Sequence, residues 1–202
     1  MGAASGCTGE SLFINRKTRE LNLKIVYYGP ALAGKTTNLQ YIHAHTHPER
    51  RSDLVSIKTR EDRTLFFDFM QLELNRIRGL RPQFSLYTVP GQVHYDSTRR
   101  LVLQGADGVV FVADSQRHRL VENLVSLAGL QRYFHKLGRR SQQFPFVLQC
   151  NKQDLPDALN PMLLKSRMGR NGVTCCSAVA IDGDGVFDTL KAIVNGVVRQ
   201  LR

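Results

Sequence analysis

At 202 residues, 42% hydrophobic and 22% charged, the chain has the composition of an ordinary globular domain with room for one sizeable core. No apolar run reaches membrane-spanning length, the N-terminus carries neither part of a signal peptide, and Cys7, Cys150, Cys175 and Cys176 show no C-x-x-C spacing. A cytoplasmic protein with buried free thiols at Cys150 and Cys175 is therefore expected, rather than a secreted disulfide scaffold. The formal net charge of +11 is the unusual figure, and a field of that size attracts anionic partners.

Residues 1–11, rich in Gly, Ala and Ser, cannot bury a core and are expected to be a disordered tail, with one domain over 12–202. Gly6 stands where myristoylation of Gly2 needs a hydroxyl residue, and the terminal Arg199-Gln200-Leu201-Arg202 is no prenylation box. Residues 23–28 read as a buried strand. They run into Gly29-Pro30-Ala31-Leu32-Ala33-Gly34-Lys35-Thr36, the pattern G-x-x-x-x-G-K-T, and a helix expected to continue through Thr37 to about Ala44. Backbone N–H groups of such a turn cradle phosphate oxygens, and the helix N-terminus adds positive potential. Lys35 would reach the β- and γ-phosphates, and the Thr36 hydroxyl would ligate Mg²⁺. His43, His45 and His47 alternate, so they fall on different sides of a helix end instead of converging on a metal.

The segment Lys58-Thr59-Arg60-Glu61-Asp62-Arg63-Thr64 is too polar for a core and belongs on the surface. There Thr64 can ligate Mg²⁺ while a nucleoside triphosphate is bound, and Arg63 is either a cation for the β–γ bridge or an ordinary exposed arginine. Residues 65–74 and 84–89 form a hairpin around Ile77-Arg78-Gly79-Leu80. The second strand ends in Thr88-Val89-Pro90-Gly91-Gln92, where Gly91 lets its N–H approach a γ-phosphate and Gln92 can orient the attacking water.

Residues 108–113 and 146–150 are continuous apolar runs of central parallel strands. Between them Leu120, Leu124, Leu127, Leu130, Phe134 and Leu137 form a helical stripe expected to face the core. Asn151-Lys152-Gln153-Asp154 follows the fifth strand. The Asp154 carboxylate can accept the ring N–H and amine of guanine, which adenine does not offer in that arrangement, and the Lys152 stem can lie along the base. After a sixth strand at 173–178, Ser177-Ala178-Val179 would give a backbone N–H to the guanine carbonyl. An amphipathic helix carrying Leu190, Ile193, Val194, Val197, Val198 and Leu201 closes the chain. Strands alternating with helices predict an α/β doubly wound fold: a six-stranded, mostly parallel sheet, helices on both faces and one antiparallel hairpin.

The chain resembles the Ras-superfamily small GTPases, and within them the bacterial MglA family of gliding-motility and cell-polarity GTPases. The matching stretches include Lys24-Ile25-Val26-Tyr27-Tyr28-Gly29-Pro30, Lys35-Thr36-Thr37-Asn38-Leu39-Gln40-Tyr41-Ile42, Asp62-Arg63-Thr64-Leu65-Phe66-Phe67-Asp68-Phe69 and Leu86-Tyr87-Thr88-Val89-Pro90-Gly91-Gln92-Val93. The resemblance implies a P-loop, Ras-like G domain holding GTP or GDP with Mg²⁺, a catalytic pair of Gln92 and an arginine finger in cis at Arg63, and Thr88 in place of the usual metal-orienting Asp. It also implies effector proteins and a homodimeric Roadblock/LC7-type activator, MglB-like. Ala31 departs from the family glycine, which places a methyl where glutamine and γ-phosphate must meet. Ala33 replaces a cysteine, and the poorly alignable 160–172 stretch is expected to shorten the fourth helix. The tail and the charge suggest a paralogue.

Three readings stay open on the sequence: a slowly hydrolysing switch, a GTP-held adaptor silenced by Ala31, and a basic module with a weak anionic-surface contact through 132–140 and 165–170. Those acid-poor segments are equally an ordinary solvated surface, and without interleaved aromatic residues nothing specifies nucleic acid. Recruitment to a membrane or cell pole would come through partners.

Overall fold

The computed structural model describes residues 14–15, 20–58, 66–74, 81–91, 96–137, 144–170 and 172–200. The expected tail, the hairpin turn at 77–80, and Arg63, Thr64 and Gln92 lie outside the described residues. Strands β1 (Ile14–Asn15), β2 (Glu20–Tyr28), β3 (Val55–Lys58), β4 (Phe66–Glu73), β5 (Arg81–Thr88), β6 (Gly108–Asp114), β7 (Phe146–Asn151) and β8 (Thr174–Ser177) form one sheet. Its order is β3-β4-β5-β2-β6-β7-β8. Five neighbours from β5 to β8 run parallel, while β4 is antiparallel to both β5 and β3.

The sheet thus has seven strands along its path, against six expected. The addition is β3, an edge strand whose half-exposed residues give no apolar run to read. The two-residue β1 pairs with Glu20 and Leu21, beyond the stretch of β2 that β6 covers. Central β6 is buried at every position, as a strand covered on both faces must be, and β5 alternates buried and half-buried residues.

Helices α1 (Lys35–Ala44) and α5 (Val186–Gln200) cover one face, where Leu39, Ile42, Leu190 and Ile193 meet Ile25, Tyr27 and Leu86. Helices α2 (Asp96–Leu103), α3 (Leu120–Lys136) and α4 (Pro161–Arg167) cover the other, with Val102, Leu130, Phe134 and Leu164 against Val26, Phe111 and Leu148. Each fully buried Leu or Phe stabilises this sandwich by about 1.5–3 kcal/mol. The α4 helix is short, as the sequence suggested; Asn160 caps it by accepting from the Met162 N–H, and Pro161 fits its first turn. Helix α2 is an addition to the predicted elements.

The α3 stripe needs correction. Leu127, Leu130 and Phe134 are buried, but Leu124 and Leu137 are 39% and 48% exposed. Asn123 turns inward instead, its amide donating to the Asp114 carbonyl and accepting the Asp114 N–H at 2.8 and 3.0 Å. A satisfied polar pair at the end of β6 outranks the apolar count.

Gln149 ties the layers on the α1/α5 side. Fully buried, it exchanges two 2.9 Å hydrogen bonds with the Asn38 amide of α1 and donates to Thr189 of α5 at 3.0 Å. Gln149→Leu leaves Asn38 and Thr189 with unmet groups, and is expected to lower unfolding stability by about 2–3 kcal/mol. Adding Asn38→Leu should cost less than the sum of the two, since the partner is then already gone. Denaturant titration of the two single variants and the double variant checks both statements; strict additivity would contradict them.

Candidate functional site

The phosphate loop lies between the carboxyl end of β2 and the first turn of α1. Leu32 and Gly34 take positive φ angles of 63° and 97°, which bend the chain around a cleft of about 410 Å³ facing Asp68, Thr88 and Gly91. Helix α1 has neither a side-chain N-cap nor an acid in its first turn, so its leading N–H groups and its dipole are left for an anion. Lys35 is 7% exposed, and its Nζ donates to the Gly29 and Pro30 carbonyls at 3.1 and 2.6 Å. Burial, then the Arg99 cation, lower its pKa to about 7 against the pull of Asp68. An anion beside it would restore its charge.

Across the cleft stands a carboxylate that the motif reading passed over. Asp68 of β4 is 7% exposed and accepts from Thr36 Oγ1 at 2.6 Å, Ser56 Oγ at 2.6 Å and Thr88 Oγ1 at 2.9 Å. Thr88 Oγ1 in turn accepts the Asp68 N–H at 2.9 Å. The antiparallel register of β4 on β5 puts the two residues side by side. A single carboxylate ringed by hydroxyl oxygens is a donor set suited to a hard cation such as Mg²⁺, whose remaining positions phosphate and water complete. Gly91 lies directly against the loop: a Cβ there would fall 2.2 Å from the Ala31 nitrogen and 2.4 Å from the Pro30 carbonyl carbon.

The other end of the site is built on β6, β7 and β8. Asn151, 2% exposed, donates to the Ala33 carbonyl of the phosphate loop and accepts the Ala180 N–H, both at 2.8 Å. Its side chain braces the phosphate loop against the turn after β8. Lys152, with φ of 67°, sends Nζ to the fully buried Asp114 carboxylate at 2.7 Å, which fixes its stem along the site wall. Asp154 is exposed and makes no hydrogen bond among the described residues. The Ala178 N–H goes to Cys150 and that of Val179 to Asp184. Ser177 ends β8, and Ala180 with the 76% exposed Ile181 follows Val179 in the turn beside Asn151.

The structure thus gathers Ala31, Leu32, Gly34, Lys35, Thr36, Thr37 and Gly91 around one cleft. Arg119 was also missed. Its Nη2 donates to the Ala31 carbonyl at 2.9 Å, and its guanidinium lies 3.7 Å from Asp114. No spacing signal marks it; it follows an ordinary turn after β6. A larger cavity of about 770 Å³ lies at the far end of α1, among His45, Leu72, Phe187 and Val194, and holds none of the motif residues.

Phosphate grip and base-side turn meet along the carboxyl edge of one sheet, joined by Asn151, which is the layout of a GTP-binding small GTPase. The model of the ADP-ribosylation factor family matches residues 10–197. The chain is similar to the Mutual gliding-motility protein MglA of Myxococcus xanthus (strain DK1622), with 50% identity over 190 residues that cover 94% of this chain and 97% of the relative. It is also similar to ADP-ribosylation factor-like protein 4D of Bos taurus, with 28% identity over 171 residues, 83% of this chain and 76% of that one. The chain belongs to the ADP-ribosylation factor family and, within it, to the MglA-type small GTPases.

Arg119→Ala removes the donor that holds the Ala31 carbonyl while Asp114 keeps Lys152. A loss of about 1–2 kcal/mol, roughly tenfold in affinity, is expected for GDP. Arg119→Lys should not recover it, because an ammonium cannot span the Ala31 carbonyl, Asp114 and the Glu122 carboxylate that the guanidinium reaches together. Titration with a fluorescent GDP reads both; wild-type affinity in Arg119→Ala would remove it from the site.

Proposed function

We propose that this chain is an MglA-type molecular switch that binds GTP or GDP with Mg²⁺ and hydrolyses GTP slowly. The observation that carries the reading is the contact of Gly91 with Pro30 and Ala31 at the phosphate cleft. The segment leading into Gln92 rests on the loop that grips phosphate, so the third phosphate of GTP must displace it. Occupancy of the cleft is thereby turned into a change of surface that effectors read.

Lys35 offsets phosphate charge, Gln92 orients the attacking water, and Arg63 supplies a cation to the charge that develops on the β–γ bridge. Mg²⁺ would be held by Thr36 and Thr64 with Asp68 beside them, and when bound it supplies positive charge against the phosphate oxygens. Gly29, Ala33, Gly34 and Thr37 complete the phosphate contacts. Asp154 and the Lys152 stem select guanine, with the Ser177-Ala178-Val179 segment closing its edge. The setting is motility, which the name of the Myxococcus relative supports, or cell polarity. The partners are effectors on the switch surface and a Roadblock/LC7-type homodimer. No described helix is long and apolar enough to cross a membrane, and recruitment from the cytoplasm to a pole would run through those partners.

The same Gly91–Ala31 contact favours a second reading. The Ala31 methyl adds bulk where Gly91 already touches the loop, which would leave a GTP-held adaptor with little turnover. Single-turnover hydrolysis with and without a Roadblock-type dimer separates the two. For the switch, the basal rate is on the order of 10⁻³ s⁻¹ or less, the dimer raises it, and Gln92→Ala abolishes the stimulation without weakening GTP binding. Hydrolysis seen only in Ala31→Gly would establish the adaptor, and wild-type rates in Gln92→Ala would refute the catalytic assignment.

Asp154→Ala is expected to weaken GTP binding by about 1–3 kcal/mol with no gain for ATP. Competition titration with both nucleotides tests the base assignment.

A further inference from the structure

The core on the α2/α3/α4 side holds a pair of thiols that the nucleotide chemistry leaves unused. Cys150 is the penultimate residue of β7 and fully buried; Cys175 is the second residue of the neighbouring parallel strand β8 and half-buried. The register sets Leu148 opposite Cys175 and Cys150 opposite Ser177, so the two cysteines are diagonal neighbours on one face. Cys176 turns to the opposite face and packs on the other core. The Sγ atoms of Cys150 and Cys175 are 3.5 Å apart, and both lie near the Pro161 carbonyl, at 4.0 and 3.9 Å.

The two thiols are unequal. The hydrogen bond shared with Cys150 brings the Cys175 pKa down to about 7, against the cost of burial and with help from Lys165 of α4. That same hydrogen bond, followed by burial, pushes the Cys150 thiol up. A partly accessible thiolate in contact with a second thiol has the requirements of an oxidisable pair: a nucleophile and a resolving sulfur.

We propose that Cys150 and Cys175 are a hydroperoxide-oxidised thiol pair whose disulfide loosens guanine-nucleotide binding. The Cys175 thiolate attacks the peroxide oxygen and the O–O bond breaks. Cys175 becomes a sulfenic acid, and the departing oxygen takes up a proton to leave as water or an alcohol. The Cys150 sulfur then attacks the Cys175 sulfur, the S–O bond breaks, and hydroxide leaves with the Cys150 proton as water. Two thiols lose two electrons and two protons in all, and one hydroperoxide is reduced.

Closing the sulfurs from 3.5 Å to a bond of about 2.05 Å draws β7 and β8 together beneath the base-side turn. The Cys150 carbonyl accepts the Ala178 N–H, and the next residue, Asn151, holds both Ala33 and Ala180. A shift at the sulfurs therefore reaches the brace between phosphate loop and base. This consequence rests on the guanine-site reading above; the disulfide itself does not.

The test treats the full chain with hydrogen peroxide, alkylates remaining thiols, maps linked peptides by mass spectrometry, and follows release of a fluorescent GDP. Expected are a Cys150–Cys175 linkage and GDP release about three- to tenfold faster, reversed by dithiothreitol, as partial loss of one buried hydrogen bond implies. Cys175→Ser should keep the release rate of the reduced wild type and ignore peroxide. Linkage of Cys175 to Cys176 or Cys7, or over-oxidation of Cys175 without linkage, overturns the pair. The Cys150–Cys175 linkage with unchanged release overturns the coupling. Failure of the reduced protein to bind GDP at all would instead count against the GTPase reading.

Discussion

Two hydrogen bonds made by one buried amide hold the site together. Asn151 grips the Ala33 carbonyl with one end and the Ala180 N–H with the other, each at 2.8 Å. The phosphate loop and the turn after β8 lie far apart in the sequence, and this one side chain fixes their spacing. In a dry interior such bonds are strong when made and costly when broken, so the spacing is held tightly. The brace also dictates Gly34: any side chain there would meet Asn151 Nδ2 at 2.2 Å, in a backbone conformation that already favours glycine.

Charge in the site is organised around two carboxylates, each with its own partners. Asp68 is surrounded by hydroxyls and stands opposite the phosphate loop, where positive charge from Lys35 and the α1 dipole collects. Asp114 is paired with two cations, Lys152 and Arg119, and so holds the Lys152 stem and, through Arg119, the Ala31 carbonyl from one buried point. A further group of basic residues gathers elsewhere. Arg100, Arg132 and Lys136 border a cleft of about 300 Å³ between α2 and α3, away from the phosphate loop.

The elements that were legible in the sequence are those whose signal is local. The phosphate loop is one contiguous motif with a strand before it and a helix after it, and α1 begins at Lys35 and ends at Ala44 as read. Central strands β6 and β7 are apolar runs because both their faces are covered. The α5 stripe of Leu190, Ile193, Val194 and Val197 is buried as its period requires. Edge strand β3 escaped because its residues are half-exposed and carry no such run, and the α3 stripe misled because Asn123 is a partner of the backbone of Asp114.

The sequence by itself determined the class of fold, the family and the phosphate-gripping segment, since each follows from contiguous residues and their period. Only the tertiary structure brought Asp68 to Thr36 and Thr88, Arg119 to Ala31, Asn151 to Ala33, and Cys150 to Cys175. These partners stand between 25 and 118 positions apart along the chain, apart from the Asp68–Thr88 pair at 20. A residue's chemistry can be read from its type, but its partner is decided by which strands lie side by side and in what register.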